Sequence, residues 1–143
     1  MKAAICNDHA GVALKARLTA VLNERGIEVV NLGTDTEESI DYTDVAHPLA
    51  AKVESGECDF GIAICGTGNG MALALNHHKG IRAGLAWDTE IASLVKRHNN
   101  ANILVLSARF VSDEKNVENL KAYLDASFEG GRHARRVEKI LEF

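Results

Sequence analysis

The chain has 143 residues, 46% of them hydrophobic and 25% charged, which is enough apolar material for one globular core. We therefore expect a single domain over residues 1–143. The formal net charge of −4 argues against a nucleic-acid partner, because general nucleic-acid-binding surfaces are basic. No apolar run approaches the ~20 residues of a membrane span, and the N-terminal run is too short for a signal peptide, so we expect no membrane association.

The cysteines indicate the redox environment. Cys6, Cys58 and Cys65 lack the C-x2-C spacing of a zinc site or a redox pair. An odd number of cysteines without that spacing is typical of free thiols in a reducing compartment. The sequence therefore predicts a cytoplasmic protein with free thiols.

Short apolar runs alternate with segments of helical apolar spacing along the whole chain. Runs rich in β-branched residues predict strands, and apolar residues three or four positions apart predict the helices between them. The predicted strands cover residues 2–6, 27–32, 60–64, 81–86 and 103–106.

Capping and turn residues predict where the helices begin and end. Gly26 and Gly56 are expected to end the first two helices. The only proline, Pro48, is expected near the start of the second helix, where its missing N–H does little harm. The later helices are expected to begin at Met71, at a cap formed by Asp88 or Thr89, at a cap formed by Ser112 or Asp113, and within a short C-terminal segment over residues 132–143.

This alternation predicts an α/β fold. Continuously apolar runs such as residues 103–106 are typical of parallel strands that are covered on both faces. Ligands of such sheets bind beyond the carboxyl ends of the strands. Three of the predicted strands are followed there by informative residues, namely Asn7-Asp8-His9, the segment Cys65–Gly70 and Ser107-Ala108-Arg109.

The segment Cys65-Gly66-Thr67-Gly68-Asn69-Gly70 places a thiol before three glycines in a strand-to-helix turn. The bare backbone amides of such a turn point to one place, which suits an anion beside a nucleophile or a base and stabilises a thiolate. Position 71 is Met, so the segment is neither a C-x5-R phosphatase loop nor a G-x-G-x-x-G dinucleotide loop, and the Gly-Lys of a Walker loop is absent. The alternative for Cys65 is a buried structural cysteine.

Three further groups have both a functional and a structural interpretation. Asp8 and His9 either bind a ligand or form a helix cap beside a surface histidine. His98 is either an acid/base group or a histidine that packs at a helix end. Arg132 and Arg136 share a helical face after two glycines, which suits phosphate capture but is also typical of a solvated charged face.

Taken in order, these residues resemble the ribose-5-phosphate isomerase B family, which also includes allose- and galactose-6-phosphate isomerases. No single motif is decisive, but the ordered combination is specific and covers nearly the whole chain. The matching segments are Asp8-His9-Ala10-Gly11, Gly33-Thr34, Asp41-Tyr42, Ile64–Gly70, Asn76, Gly80–Ala83, His98-Asn99, Ala101-Asn102, Arg109 and Gly130-Gly131-Arg132-His133.

The resemblance implies an aldose–ketose isomerase that uses neither metal nor cofactor and interconverts ribose 5-phosphate and ribulose 5-phosphate through an enediol or enediolate. Cys65 matches the base that moves a proton between C1 and C2, Thr67 a residue of ring opening and proton handling, and His98 the acid/base group that opens the furanose ring. The matching substrate-binding positions are Asp8 and Asn99 for hydroxyls and His9, Arg109, Arg132 and Arg136 for the phosphate. Tyr42, Gly66, Gly68, Asn69 and Gly70 are further substrate-binding positions, and the amides of Gly66–Gly70 are expected to stabilise the developing oxyanion.

The resemblance also implies the architecture and the assembly. It implies a three-layer αβα sandwich with a five-stranded sheet in the order 2-1-3-5-4 and a C-terminal helix. It further implies a homodimer, which can pair into a tetramer, with a shared active site. His98, Asn99 and Arg109 are expected to reach into the partner's pocket.

Two other functions are compatible with the residues. Asn7 departs from the small residue that is usual in the family, and Asn7 and Trp87 could change the preferred sugar, so an isomerase of a hexose 6-phosphate such as allose or galactose 6-phosphate is the first alternative. The second is a non-catalytic phosphosugar-binding protein, which would need neither Cys65 nor His98.

Overall fold

The computed structural model describes residues 1–142 of the chain, which form five strands and six α-helices. The strands are β1 (Lys2–Asn7), β2 (Glu28–Asn31), β3 (Phe60–Cys65), β4 (Ala83–Leu85) and β5 (Ile103–Ser107). The helices are α1 (Val12–Glu24), α2 (Tyr42–Glu54), α3 (Asn69–Leu75), α4 (Thr89–Arg97), α5 (Asp113–Asp125) and α6 (Arg132–Glu138). Within residues 1–142, no helix has the length and apolar character needed to cross a membrane.

The strands form one parallel sheet in the order β2-β1-β3-β5-β4. This confirms the α/β fold class and the strand order that the resemblance implied. The central strands β3 and β5 are buried along their whole length, as their continuously apolar sequences predict. The edge strands β2 and β4 are only partly buried.

Helices cover both faces of the sheet. Successive side chains of a strand point to opposite faces, so Ile62 and Ala63 belong to different cores. Helices α1, α4 and α5 pack on the Ile62 face, and α2 and α3 pack on the Ala63 face. The three-layer αβα arrangement is therefore confirmed.

Most of the predicted helix ends are confirmed. Gly26 and Gly56 follow α1 and α2 with φ angles of 72° and 79°, a conformation that glycine adopts without strain. The side chain of Asp88 accepts a hydrogen bond from the N–H of Glu90, and that of Ser112 accepts one from Lys115. Both residues are N-caps, of α4 and α5.

Three predicted boundaries are wrong. Pro48 does not lie near the start of α2, because the helix begins six residues earlier at Tyr42. Helix α3 begins at Asn69 rather than Met71, and β4 is restricted to Ala83–Leu85 because only these residues pair with β5. In each case tertiary packing or strand pairing determines where the element begins or ends. The spacing of residues in the sequence does not reveal these contacts.

The parallel sheet gives the molecule two chemically different edges. Cys65 ends β3 opposite Ser107 at the end of β5, so the loops that follow the strands meet at the carboxyl edge. Helix α4 runs back to the amino edge, where the carbonyl oxygen of Asn102 accepts a hydrogen bond of 2.9 Å from the N–H of Gly61 near the start of β3. Residues at the end of α4 therefore lie one strand length away from Cys65, or about 17 Å for a six-residue strand at ~3.3 Å per residue.

Candidate functional site

The Cys65 thiol lies at the carboxyl edge, in the turn that its glycines predict. Its side chain is almost fully buried, and the N–H of Gly68 donates a hydrogen bond of 3.2 Å to Sγ. Gly68 has a φ of 88° and closely approaches the side chain of Leu85. The next amide, that of Asn69, donates to Oγ1 of Thr67 at 3.1 Å. The glycine-rich turn thus brings backbone donors to the sulfur and to the Thr67 hydroxyl, as expected of an anion-stabilising loop.

Strand β5 holds this turn in place. The N–H groups of Ala108 and Arg109 donate to the carbonyl oxygens of Cys65 and Gly66, each at 3.0 Å. The Ser107 hydroxyl also donates to the Gly66 carbonyl, at 2.7 Å. The role of Ser107 was missed by the sequence analysis, although its position at a strand end was noted. These bonds fix the backbone on which the thiol sits.

Asp8 and His9 lie beside Cys65, because the N–H of Asp8 donates to the carbonyl oxygen of Ile64 at 3.1 Å. Oδ1 of Asp8 accepts from the N–H of Ala10 at 2.9 Å, so the capping interpretation is correct for this carboxylate. Nδ1 of His9 accepts from the N–H of Ile40 at 3.3 Å. The other carboxylate oxygen and ring nitrogen are the atoms with which these residues can bind a ligand.

Two larger side chains cover the glycines of the turn. A Cβ atom added at Gly70 would lie 2.7 Å from Cζ of Tyr42, and one added at Gly66 would lie 3.2 Å from Cδ of Arg109. The ring of Tyr42 and the stem of Arg109 therefore lie against bare backbone. We refer to Asp8, His9, Tyr42, Cys65–Gly70 and Arg109 as the carboxyl-edge cluster.

The carboxyl-edge cluster has a buried polar support that the sequence analysis missed. The ammonium of Lys15, on α1, is buried and donates to the carbonyl oxygen of Thr34 at 2.6 Å and to Asp35 at 2.5 Å. The same Lys15 bond holds the pKa of the Asp35 carboxyl below its usual range. Nδ2 of Asn7 donates to the carbonyl oxygens of Asp8 and Thr34, at 2.8 and 3.0 Å. Asn7 and Lys15 thus tie the segment after β2 to the base of the Asp8 turn.

The other predicted site residues lie at the amino edge. His98 is the C-cap of α4 and is followed by Asn99, while Arg132 and Arg136 lie on α6. The N–H of Glu129 donates to the carbonyl oxygen of Arg97 at 3.0 Å, which joins the segment before α6 to the end of α4. We refer to His98, Asn99, Arg132 and Arg136 as the amino-edge cluster. Within one chain the structure does not bring these residues to Cys65.

Arg109 lies apart from His98 and Asn99 within the chain. The resemblance grouped Arg109 with His98 and Asn99 as residues that reach into a partner's pocket. In the structure Arg109 follows β5 and lies against Gly66 of its own chain, so it belongs to the carboxyl-edge cluster. The pairing of β3 with β5 brings Arg109 close to Gly66, and for this reason we group it with the carboxyl-edge residues.

The imidazole of His98 has an unusual environment. Its ring stacks on that of His133, with a centroid distance of 4.1 Å and an interplanar angle of 11°. Nε2 of each ring faces Oε1 of Glu129, at 3.6 Å for His98 and 3.7 Å for His133. Nε of Arg97 donates to Oε2 of Glu129 at 2.7 Å. Neither Glu129 nor His133 was assigned a role from the sequence, because their contact with His98 depends on how the chain returns after α5.

Charges and burial set the protonation of this group. The Arg97 guanidinium lowers the pKa of the Glu129 carboxyl, so Glu129 is ionised near neutral pH. Burial, followed by the nearby His98, lowers the pKa of the His133 imidazole. His133 is therefore neutral at pH 7.

Within residues 1–142, His98, Glu129 and His133 form a group whose donor atoms could hold a metal ion. Their donor atoms lie within 4.8 Å of one another. The lone pair of an imidazole nitrogen lies in the plane of its ring, and two nearly parallel rings direct their lone pairs along separate planes. One ring would have to rotate before both nitrogens could bind the same ion.

Comparison with known proteins identifies the family to which the chain is similar. The family model described as Ribose/Galactose Isomerase matches residues 3–140. Ribose-5-phosphate isomerase B of Escherichia coli is 44% identical over 133 residues, which is 93% of this chain and 89% of that protein. Ribose-5-phosphate isomerase B of Clostridium thermocellum has a solved structure with a TM-score of 0.97 and 45% identity, covering 99% of this chain and 96% of the other.

A third relative was solved with a ligand. Ribose-5-phosphate isomerase B from Mycoplasma genitalium with bound ribulose-5-phosphate has a TM-score of 0.95 and 41% identity, covering 99% of this chain and 94% of that chain. The family model and these relatives each extend over most of the chain, through both clusters of predicted site residues. We conclude that the chain belongs to the ribose/galactose isomerase family.

Proposed function

We propose that the protein interconverts ribose 5-phosphate and ribulose 5-phosphate, with Cys65 as the base. The observation that carries this proposal is the buried Cys65 thiol that accepts a hydrogen bond from the Gly68 amide inside a turn of backbone donors. Family membership and the relative bound to ribulose-5-phosphate support the choice of reaction and sugar.

The arrangement suits proton transfer next to a carbonyl group. In the open-chain aldose, the Cys65 thiolate removes the proton from C2, and the electron pair of that C–H bond forms the C1–C2 double bond of an enediolate. Negative charge develops on O1. The turn whose Gly68 N–H donates to the thiol is the proposed source of the backbone N–H groups that stabilise this charge. The Cys65 thiol then protonates C1 and becomes a thiolate again. As the C2 carbonyl of the ketose forms, the proton of the O2 hydroxyl passes to O1, and Thr67 transfers it.

The remaining roles require both clusters. We infer that His98 opens the furanose ring, that Asp8 and Asn99 bind hydroxyls, and that His9, Arg109, Arg132 and Arg136 bind the phosphate. His98 lies at the amino edge and Cys65 at the carboxyl edge, so one chain cannot supply both groups to one sugar. This separation supports a homodimer in which each pocket combines the carboxyl-edge cluster of one subunit with the amino-edge cluster of the other.

The direct test is an assay of the purified protein with ribose 5-phosphate, with and without EDTA. We expect turnover in both conditions. Absence of turnover with this sugar would refute the proposed substrate, and turnover that EDTA abolishes would refute a metal-independent reaction.

Replacement of Cys65 by Ala tests the role of the thiol. We expect kcat to fall by about 10²–10⁴-fold, the usual contribution of a general acid/base, while the affinity for ribose 5-phosphate changes little. Cys58→Ala is the matched control, because Cys58 is also buried but lies outside both clusters. A Cys65→Ala enzyme that turns over at the wild-type rate would rule out Cys65 as the base.

An isomerase of six-carbon sugar phosphates is the second candidate. The matching family model covers galactose as well as ribose isomerases, and this observation supports a six-carbon sugar phosphate as an alternative substrate. A larger kcat/KM for allose or galactose 6-phosphate than for ribose 5-phosphate would select it. A phosphosugar-binding protein without catalysis would bind these sugars and convert none of them.

A further inference from the structure

We infer that Glu129 and His133 are positioning residues that hold the imidazole of His98 in the orientation needed for opening the sugar ring. The inference rests on the proposed function, in which His98 opens the furanose. It concerns two residues that neither form the proposed base nor bind the phosphate.

Two contacts restrict the orientation of the His98 ring. An imidazole at the end of a helix turns easily about its last side-chain torsion, because that torsion has broad minima. Stacking on His133 at 4.1 Å fixes the plane of the His98 ring. Nε2 of His98 lies 3.6 Å from the Glu129 carboxylate, so the edge of the ring that carries Nε2 faces Glu129 and a 180° flip of the ring is disfavoured. Together these contacts define one orientation of His98.

The Glu129 carboxylate is itself held in place. Its Oε2 accepts a hydrogen bond from Nε of Arg97, and its own N–H donates to the Arg97 carbonyl oxygen. A carboxylate that is held through both its side chain and its backbone keeps a fixed position relative to the group it faces. Arg97 precedes His98 directly, so the carboxylate is fixed relative to the backbone that carries the imidazole.

A turn of two glycines brings His133 to His98. Gly130 and Gly131 have φ angles of 67° and 55°, and a Cβ at either position would meet nothing within 4 Å. Space therefore does not require glycine there, but the backbone conformation does. The turn of Gly130 and Gly131 leads directly into α6 and places His133 on the ring of His98.

The chemistry explains why orientation matters. When the furanose opens, the C1–O4 bond breaks, its electron pair stays on O4, and O4 receives a proton from His98. The O1 hydroxyl loses its proton as the aldehyde forms, and that proton restores His98, so no proton is gained or lost overall. A ring nitrogen must therefore point at O4 and then accept a proton from the same substrate.

The experiment compares Glu129→Gln with wild type in the assembled enzyme, and it separates ring opening from proton transfer. Ribose 5-phosphate must be opened, whereas ribulose 5-phosphate has O5 esterified and cannot close a five-membered ring. We therefore measure the conversion of ribose 5-phosphate, its isotope effect with deuterium at C2, and the exchange of the C1 protons of ribulose 5-phosphate in D₂O. Nitrogen-15 NMR of the histidine rings reports which nitrogen of His98 carries the proton.

We expect kcat for ribose 5-phosphate to fall roughly tenfold, less than the ~10²–10⁴-fold expected for loss of the acid/base group itself. KM and the C1 exchange should stay within about twofold, since neither depends on ring opening in this scheme. The isotope effect should move toward 1 because proton transfer then limits the rate less, and the His98 nitrogen signals should shift.

Glu118→Gln is the control, because it removes one exposed carboxylate of α5 and, within residues 1–142, Glu118 has no ion pair. Arg97→Gln, which removes one anchor of Glu129, should show the same pattern more weakly and provides a second variant if Glu129→Gln folds poorly. An unchanged kcat in Glu129→Gln, or equal losses of conversion and exchange with an unchanged isotope effect, would overturn the inference. A wild-type protein that converts no ribose 5-phosphate would instead refute the proposed function.

Discussion

The glycines around Cys65 differ in what each one permits. Gly68 has a positive φ, and a Cβ there would lie 2.4 Å from Cδ1 of Leu85. Gly66 and Gly70 instead make room for the side chains of Arg109 and Tyr42. One glycine therefore sets the path of the backbone, and the other two allow neighbouring side chains to lie on it.

Gly68→Ala is expected to destabilise the protein by about 2 kcal/mol or more and to reduce turnover. The positive φ contributes roughly 1–2 kcal/mol and the contact with Leu85 adds to it. The same change moves the amide that donates to the Cys65 sulfur. Denaturant unfolding and kcat for ribose 5-phosphate measure the two effects.

Gly26→Ala is the matched control for this prediction. Gly26 has a φ of 72° but nothing within 4 Å of a new Cβ, so only the backbone strain applies. We expect a smaller loss of stability and no change in turnover. Equal losses in the two variants would show that the contact with Leu85 contributes nothing.

Sequence reasoning found the residues whose chemistry is encoded locally. Cys65 before three glycines, and Asp8-His9 after a strand, could be placed because strand ends of a parallel sheet meet at one edge. Glu129 and His133 could not be linked to His98 in this way. They lie more than 30 positions further along the chain, and only the turn at Gly130-Gly131 brings them back.

At the scale of whole elements, α2 shows where local rules fail. Pro48 reads as a residue of a first helical turn, yet it lies six residues inside α2. The buried face formed by Ala46, Leu49, Ala50 and Val53 packs against the sheet and α3, and this packing outweighs the missing hydrogen bond of the proline. Strands β3 and β5 could be predicted because they are continuously apolar. The predicted β4 was too long, because its pairing with β5 limits it to three residues.

Pro48→Ala is expected to stabilise the protein by about 1 kcal/mol. Proline in an exposed helix interior is ~3 kcal/mol less favourable than alanine, and the greater freedom of the unfolded chain offsets part of that gain. Pro48 is exposed, so the substitution leaves no cavity. Thermal and denaturant unfolding provide the measurement.

Lys121→Ala, at an exposed position of α5, is the control and should change stability by less than about 0.5 kcal/mol. If Pro48→Ala were destabilising, the helix around residue 48 would have to be adapted to proline.

At the scale of the whole molecule, the two clusters occupy opposite edges of the sheet. The parallel topology and the α/β class followed from the alternation of apolar runs, whereas the strand order came only from the family resemblance. Periodicity cannot specify which strands are neighbours, because right-handed crossovers permit several orders. The division of the site between edges follows from that topology together with the direction of α4.

A mixture of two impaired variants is expected to recover activity. Cys65→Ala lacks the base and His98→Ala lacks the ring-opening group, so each alone should turn over ribose 5-phosphate about 10²–10⁴-fold more slowly than wild type. In a mixed dimer with a two-fold axis, one pocket combines the intact Cys65 of one chain with the intact His98 of the other. Equimolar subunits that mix at random should give about one quarter of wild-type activity.

The subunits are unfolded and refolded together, and separately refolded variants that are mixed afterwards are the control. No recovery after joint refolding, despite mixed dimers detected by native mass spectrometry, would contradict a pocket shared between chains.

The contact between Tyr42 and Gly70 restricts the order in which these two positions can change during evolution. With the ring in place, Gly70→Ala would put a methyl group within 2.7 Å of Cζ, so the exposed ring of Tyr42 must move, and the change should cost about 1 kcal/mol. After Tyr42→Ala the same methyl group has space, and the loss should fall below about 0.5 kcal/mol. Unfolding free energies of the four variants measure this dependence. A lineage would therefore lose less stability by exchanging the glycine after it had given up the tyrosine than before.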